Sequence, residues 1–153
     1  MLIMSTKVFP RQTNFTIDRE DWGKATLSVG AVAETRVILA DLIINSEDVL
    51  GPDVSFAHIV ALRIVPTPDL AKKVENMPLP PQTPVPLTSD AGYEKVEVSR
   101  VDKTTESIYR FEGYVLSLKL EIQSVARNMC FRLPSGAPLY NVRWNVTPNI
   151  KKA

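Results

Sequence analysis

The chain has 153 residues, of which 44% are hydrophobic and 23% are charged, so it is long enough for one sizeable core and too short for two domains. Its 18 basic and 17 acidic side chains leave a net charge of +1. This excludes the general electrostatic attraction to nucleic acid or to an anionic membrane that a strongly basic chain would have. One cysteine, Cys130, excludes an internal disulfide and most zinc sites.

The N-terminus is apolar only over residues 1–4, which is too short for a signal-peptide core or a membrane span. We therefore expect no membrane partner, and a soluble protein that is intracellular (cytoplasmic) or associated with a virion. Residues 1–24 mix charges with isolated apolar side chains and indicate an N-terminal arm or edge segment ahead of a single domain at 25–153. The candidate residues for docking this arm on a neighbouring copy are Phe9, Phe15, Ile17 and Trp22.

The first strand signals are an alternation of Leu27, Val29 and Ala31 with small residues, and a longer apolar run at 34–45. The run is apolar in both strand registers, which suits a strand covered on both faces or a buried helix, and its β-branched content favours the strand. Within it, Asp41 predicts a buried ion pair, with Arg36 or Arg63 as the partner. Serine, two acids and Gly-Pro at 46–52 predict one helical turn between strands.

Residues 54–65 are apolar on both faces, a pattern typical of a central strand. The only histidine, His58, lies in this strand and is interpreted as a hydrogen-bonded core residue. Residues 69–76 predict two helical turns. Five prolines within 77–90 forbid a helix or a central strand and predict an extended surface connection, with a docking site for a proline-binding partner as the less favoured interpretation.

The second half of the chain has a more regular strand pattern. Residues 93–101 predict a strand that buries Val96 and Val98. Residues 114–123 alternate strictly between apolar and polar side chains and predict a half-buried strand. The apolar phase slips by one residue at Gly113, which predicts a β-bulge. Two further runs flank a five-residue loop at 134–138 and predict a hairpin.

Seven or eight strands without a regular alternation of helices predict an all-β domain, with one or two short helical turns. We expect an antiparallel two-sheet β-sandwich of jelly-roll or Greek-key type, and a five-stranded OB-like barrel is the second interpretation. No repeat of 20 to 50 residues is visible in the sequence, which argues against a solenoid or a propeller.

Candidate chemistry is sparse. His58 and Cys130 lie in separate segments, and a nucleophile needs a base held by a third group. The six glycines are dispersed, so the sequence contains no phosphate-binding loop. We therefore expect no enzyme: no catalytic residue, no cofactor, no metal site and no small-molecule substrate.

The charge is unevenly distributed towards the C-terminus, where no acidic residue follows Glu121. The basic residues of this stretch are candidate contacts for anions or nucleic acid: Arg127, Arg132, Arg143, Lys151 and Lys152. In the predicted hairpin Arg132 and Arg143 point outward, so the ribbon is a candidate site for single-stranded nucleic acid.

The combination of a β-sandwich, an N-terminal segment and a proline-rich crossover resembles the layout of small self-assembling subunits such as virus or phage virion proteins. The resemblance is one of architecture and implies a capsid-like structural protein that binds copies of itself. Single jelly-roll coat proteins commonly carry a strongly basic arm, which this sequence lacks. We expect a homo-oligomeric structural subunit, with nucleic-acid binding by the C-terminal ribbon as the alternative.

Overall fold

The computed structural model describes residues 7–28 and 30–153; the predictions about residues 1–4 and Val29 lie outside this range. It confirms an all-β sandwich of two antiparallel sheets. Sheet A contains β1 (Arg11–Gln12), β3 (Gly23–Leu27), β4 (Ala31–Asp48), β5 (Gly51–Pro66) and β7 (Val98–Lys103). Sheet B contains β2 (Thr16–Glu20), β6 (Tyr93–Val96), β8 (Thr105–Phe111), β9 (Tyr114–Arg132) and β10 (Pro138–Lys152). One short helix, α1 (Pro68–Val74), follows β5.

Both sheets are built on the same plan. Each contains one long hairpin, β4–β5 in sheet A and β9–β10 in sheet B. The other edge of β4 carries β3 and β1, and the other edge of β9 carries β8 and β6. Strand β7 then pairs with β3, while β2 pairs with β8. Strands β1 to β5 therefore correspond in order to β6 to β10, with β2 and β7 exchanged between the sheets. The chain repeats in topology although its sequence shows no repeat.

The main core lies between β4 of sheet A and β8 and β9 of sheet B. Strand β9 has the predicted alternation, because Leu116, Leu118 and Leu120 are buried while Lys119 and Glu121 are exposed. A second cluster lies near α1, where Leu70 packs with residues of both sheets. The apolar face of β9 thus forms the inner surface of sheet B, as its period of two requires.

Side-chain hydroxyls join the two sheets where one side of β4 has no neighbouring strand among residues 7–28 and 30–153. On the side away from β5, β3 pairs with β4 up to Thr35 and β1 pairs with it from Ile43. In the interval, the Leu39 backbone N–H donates to Tyr109 Oη at 2.9 Å, and Ser107 Oγ donates to the Val37 carbonyl at 2.6 Å. Both hydroxyl residues belong to β8 and are fully buried. They satisfy backbone groups that would otherwise be buried without a partner.

The helical turn predicted at 46–52 is wrong. Strand β4 continues to Asp48 and β5 begins at Gly51, so Val49 and Leu50 form a tight hairpin turn. The carboxylate of Asp48 accepts from the Leu50 backbone N–H at 2.8 Å. Gly51 takes a φ of 115°, which an L side chain rarely adopts. Acidic and Gly-Pro residues favour helix ends and tight turns alike, and here they form the turn.

The bulge predicted at Gly113 is also wrong. Glu112 (φ 43°) and Gly113 (φ 82°) are the two central residues of a hairpin in which Phe111 pairs with Tyr114. Positive φ at both central positions is the requirement of a type I′ turn. The apolar positions change from odd to even numbers because the chain reverses direction at this turn. Across the hairpin, odd-numbered Phe111 faces even-numbered Tyr114.

Two predicted strands turn out to be divided. The stretch 93–101 contributes β6 to sheet B and β7 to sheet A, with Glu97 at the crossing, so Val96 and Val98 lie in different sheets. Leu27 ends β3, and Ala31 begins β4 after a turn. In both cases a short apolar alternation spans a change of direction that periodicity does not reveal.

Other predictions are confirmed. The run at 34–45 is a strand, within β4. The helix predicted at 69–76 is α1, where the Thr67 side chain caps the N-terminus by accepting from the Leu70 N–H at 3.3 Å. Residues 77–90 contain neither helix nor strand and are mostly exposed. The loop of the β9–β10 hairpin lies between Arg132 and Pro138.

Candidate assembly edge

Strand β5 is an edge strand, so the prediction of a central strand at 54–65 is wrong. It pairs with β4 along its whole length, from Gly51 opposite Asp48 to Pro66 opposite Ala31. Among the strands that the structure describes, β4 is its single partner, which leaves the other row of backbone N–H and C=O groups unpaired. We call the stretch from Asp53 to Val65 the β5 edge; its 13 residues span about 43 Å.

The β5 edge has the composition of a covered strand but is open to solvent. On the inner face, Val54, Phe56 and Val60 pack partly against the main core. The exposed fractions of Ile59, Leu62 and Val65 are 58%, 37% and 42%. Edge strands of monomeric proteins usually carry lysine, proline or a bulge that prevents another chain from pairing. The β5 edge contains no lysine and no proline, and both register shifts of the β4–β5 pair place the extra residue on β4.

Two charged residues flank the centre of this edge. Asp53 is exposed near its start. Arg63, near its end, donates to Glu34 on β4, and its guanidinium lies over the Trp22 ring at 5.2 Å from the centroid. The Arg63 side chain is nevertheless 60% exposed, while that of Glu34 is 9% exposed. Arg63 is therefore held in place by its own chain and still presents its charge to solvent.

His58 is the middle residue between these charges, and it is exposed, so the prediction of a core histidine is wrong. It lies opposite Leu39 on the inner face, and its ring is 5.5 Å from that of Phe56. Cys130 is a free, exposed cysteine on β9 of sheet B. The two residues that a thiol-based mechanism would combine therefore belong to different sheets.

The corresponding strand of sheet B, β10, is an edge strand that is protected. It is paired with β9 alone among the described strands. Pro148 lies within it, and proline interrupts the ladder that an added strand would form. Its charged residues are all basic: Arg143, Lys151 and Lys152. The same fold position thus carries edge protection in one half of the chain and lacks it in the other.

The candidate arm residues lie within the chain's own sandwich. Phe9 and Phe15 pack against the main core, and the Phe15 ring meets the Tyr109 ring edge-on at 5.6 Å. Trp22 is half-buried beneath Arg63. Ile17 on β2 is 59% exposed. Residues 11–20 contribute β1 to sheet A and β2 to sheet B, and each of these strands ends its sheet path, so this segment is an edge segment and not a free arm.

The five candidate basic residues do not form one contiguous surface. Arg127 is 7% exposed and donates to Glu94 at 2.5 and 3.1 Å. Arg132 is half-buried at the end of β9, beside α1. Arg143, Lys151 and Lys152 are exposed on β10. Arg143 and Lys151 share a face, but eight residues of strand, or about 26 Å, separate them.

The ion pair predicted for Asp41 is wrong. Its carboxylate accepts from Gln12 Nε2 and from the Leu42 backbone N–H, both at 2.9 Å. Arg36 donates instead to Glu20, and Arg63 to Glu34. The register shift next to Asp41 turns its side chain towards β1 and the strand's own backbone.

A cleft of about 370 Å³ is lined by apolar side chains that include Val98, Val101 and Leu120. The cleft is also lined by Lys24, Lys103 and Lys119. Two of these lysines form ion pairs, Lys103 with Asp21 at 3.7 Å and Lys119 with Glu121 at 3.9 Å.

Within the described ranges, no group of three His, Cys, Asp or Glu side chains is placed to hold a metal ion. No helix within residues 7–28 and 30–153 is long and apolar enough to cross a membrane.

The sequence predicts a strand at the β5 edge but indicates a different environment for it. Apolar residues on both faces between Asp53 and Val65 indicate a strand with cover on every side. The single chain covers part of one face of the β5 edge and pairs with one of its two sides.

Comparison of the chain with protein-family models, with curated proteins and with solved structures found no significant match.

Proposed function

We propose that the protein is a non-enzymatic structural subunit that assembles with copies of itself into an oligomer or a larger, virion-type particle. The observation that carries this proposal is the β5 edge, a largely apolar stretch of 13 edge-strand residues between Pro52 and Pro66 that has no lysine, no proline and no bulge of its own. Such an edge is a template for pairing with another chain.

The contrast between the two halves supports this function. Strands β5 and β10 occupy corresponding positions, yet β10 has Pro148 in its interior and three basic residues, while β5 has prolines only at its ends, Pro52 and Pro66, and one basic residue, Arg63. If edge protection served only to keep the protein soluble, both edge strands would be expected to carry it. A difference confined to one of them is expected when that edge is covered in the working assembly.

The hairpin tip beside the β5 edge adds exposed apolar surface. Val49 and Leu50, between β4 and β5, are 101% and 94% exposed. Two fully exposed aliphatic side chains at a turn contribute nothing to the fold of the single chain. Contact with a second copy would remove them from water, at about 25 cal/mol for each Å² of apolar surface buried.

The test is the mass of the purified protein in solution. Light scattering and negative-stain microscopy over a range of protein and salt concentrations should show species larger than the 17.0 kDa chain, increasing with protein concentration. A monodisperse monomer in every condition would reject self-assembly. A hydrolytic or transfer activity that is lost on changing His58 or Cys130 would reject the non-enzymatic role.

A second candidate function, binding of single-stranded nucleic acid, is supported by the outer face of β10. Arg143 and Lys151 lie on this face with Asn145, Thr147 and Asn149 between them. The test is filter binding of a single-stranded oligonucleotide at low salt. Binding through this face should weaken steeply with salt and be lost when Arg143 and Lys151 are both changed to Glu. No binding at low salt would remove this function.

A further inference from the structure

We propose that the β5 edge pairs antiparallel with the β5 edge of a second copy, with the two-fold axis passing beside His58. This inference rests on the proposed self-assembly and names its first contact. The pairing joins two five-stranded A sheets into one continuous sheet across the axis. An identical pair of edges gives a closed, two-fold contact, which is the commonest symmetry of soluble oligomers.

The register follows from the charges of the edge. In an antiparallel pair centred on His58, residues at equal distances before and after His58 face each other across the two copies. Asp53 then faces Arg63 of the second copy, and Arg63 faces its Asp53. Asp53 and Arg63 are the two side chains of the edge that carry a full charge at neutral pH, and they are equidistant from His58. Opposite charges directly across a strand pair stabilise it, whereas like charges destabilise it.

The apolar residues complement one another in the same register. Val54 faces Leu62 of the second copy, Phe56 faces Val60, and Ala57 faces Ile59. Because the numbers of two facing residues are both even or both odd, inner-face residues meet inner-face residues. The half-exposed Ile59 and Leu62 are covered by their cross-strand neighbours. The remaining pairs are Ser55 with Ala61, two small side chains, and His58 with its own copy on the axis.

The same features argue against β10 as the partner. Pairing β5 with β10 of a second copy would leave one free edge at each end and propagate into a filament. It would also place Pro148 in the new ladder, where it has no N–H to donate. Arg143, Lys151 and Lys152 offer Arg63 no opposite charge. The two-fold β5 pairing instead leaves the protected β10 edges facing outward.

Disulfide trapping tests this pairing in the full-length chain. In a Cys130→Ser background, His58→Cys places two thiols opposite each other across the axis, where Cα atoms about 4.5 to 5.5 Å apart, by strand geometry, are within disulfide range. Oxidation with diamide should give a covalent dimer on a non-reducing gel. A mixture of the Ser55→Cys and Ala61→Cys chains should also cross-link, because the two positions are equidistant from His58, whereas each chain alone should not. Thr147→Cys on β10 is the matched control and should remain uncross-linked.

The outcomes separate this inference from the proposed function. If light scattering shows association but His58→Cys chains do not cross-link with one another, the pairing is wrong and self-assembly stands. If Ile59→Cys cross-links strongly and His58→Cys does not, the register is wrong. If the wild type is a monomer at every concentration, both proposals fail. His58 is exposed, so its substitution should leave the fold intact, which circular dichroism checks.

Discussion

The hydroxyl of Tyr109 provides a sharp test of how the two sheets are joined. It accepts from the Leu39 N–H and donates to Glu20 Oε2, both at 2.9 Å, and Tyr109 is 0% exposed. Tyr109→Phe keeps the ring and leaves a buried backbone donor without its partner, at a cost of about 1–3 kcal/mol. Glu20 retains Arg36, so its loss is smaller. We expect the free energy of unfolding to fall by about 2–4 kcal/mol, a large share of the ~5–15 kcal/mol typical of a domain.

Urea denaturation of wild type and variant at one protein concentration measures this difference. Tyr114→Phe is the matched control, because the Tyr114 hydroxyl donates to Glu47 at 3.1 Å on the surface, and its loss should cost less than about 1 kcal/mol. Burial raises the pKa of Tyr109 above 10.0, so its contribution is complete below that pH and is lost as pH rises through the folded pKa. The difference between wild type and Tyr109→Phe should therefore shrink in alkaline solution. Equal losses for the two variants at neutral pH would refute the role of the hydroxyl in the sheet junction.

Three further predictions concern the N-terminal segment, the β8–β9 turn and the core. Phe15→Ala should lower the free energy of unfolding by about 2–4 kcal/mol in urea, because Phe15 packs on the chain's own core; an unchanged midpoint would mean that the segment is dispensable for the fold. The hydrogen bond from Arg11 holds the pKa of Glu112 below its ordinary value of 4.5, so its stabilisation is present above pH 4.5 and is lost as pH falls through the folded pKa. Glu112→Gln should thus cost up to about 1 kcal/mol at neutral pH and much less in acid below the folded pKa, and a pH-independent difference would exclude this pair as the cause. Leu116→Ala, at a fully buried position of β9, should cost about 3–5 kcal/mol in urea, whereas a cost below about 1 kcal/mol would place Leu116 outside the core.

The fold class was predictable because burial imposes a period of two on strands that have one covered face. Strand β9 shows this most clearly, with Leu116, Leu118 and Leu120 on its inner face. Chain reversals were harder to locate. The slip at Gly113 has the same sequence pattern in a bulge and in a type I′ hairpin, and the two differ in whether the chain continues or returns, which depends on contacts distant in sequence.

The candidate site is predictable only in part, because apolar residues on both faces identify a strand but do not show whether the same chain covers it. The pattern around His58 correctly predicts a strand but indicates a central one, whereas β5 is an edge strand. For the N-terminal segment, the sequence predicts that Phe9 and Phe15 dock on a neighbouring copy, whereas both pack on their own core. The hydroxyl bonds of Ser107 and Tyr109 left no pattern in the sequence, because Ser and Tyr fit many environments.

The most direct test of self-assembly through β5 is sedimentation velocity of the wild type and two matched lysine variants. Ile59→Lys places a charge on the outer face of the β5 edge, and Thr147→Lys does the same on β10; both positions are exposed, so neither change should unfold the domain. We expect the wild type and Thr147→Lys to sediment as species larger than 17.0 kDa, with Ile59→Lys shifted to the monomer. A wild type that is monomeric at all concentrations, or an Ile59→Lys variant that assembles as the wild type does, would contradict the account.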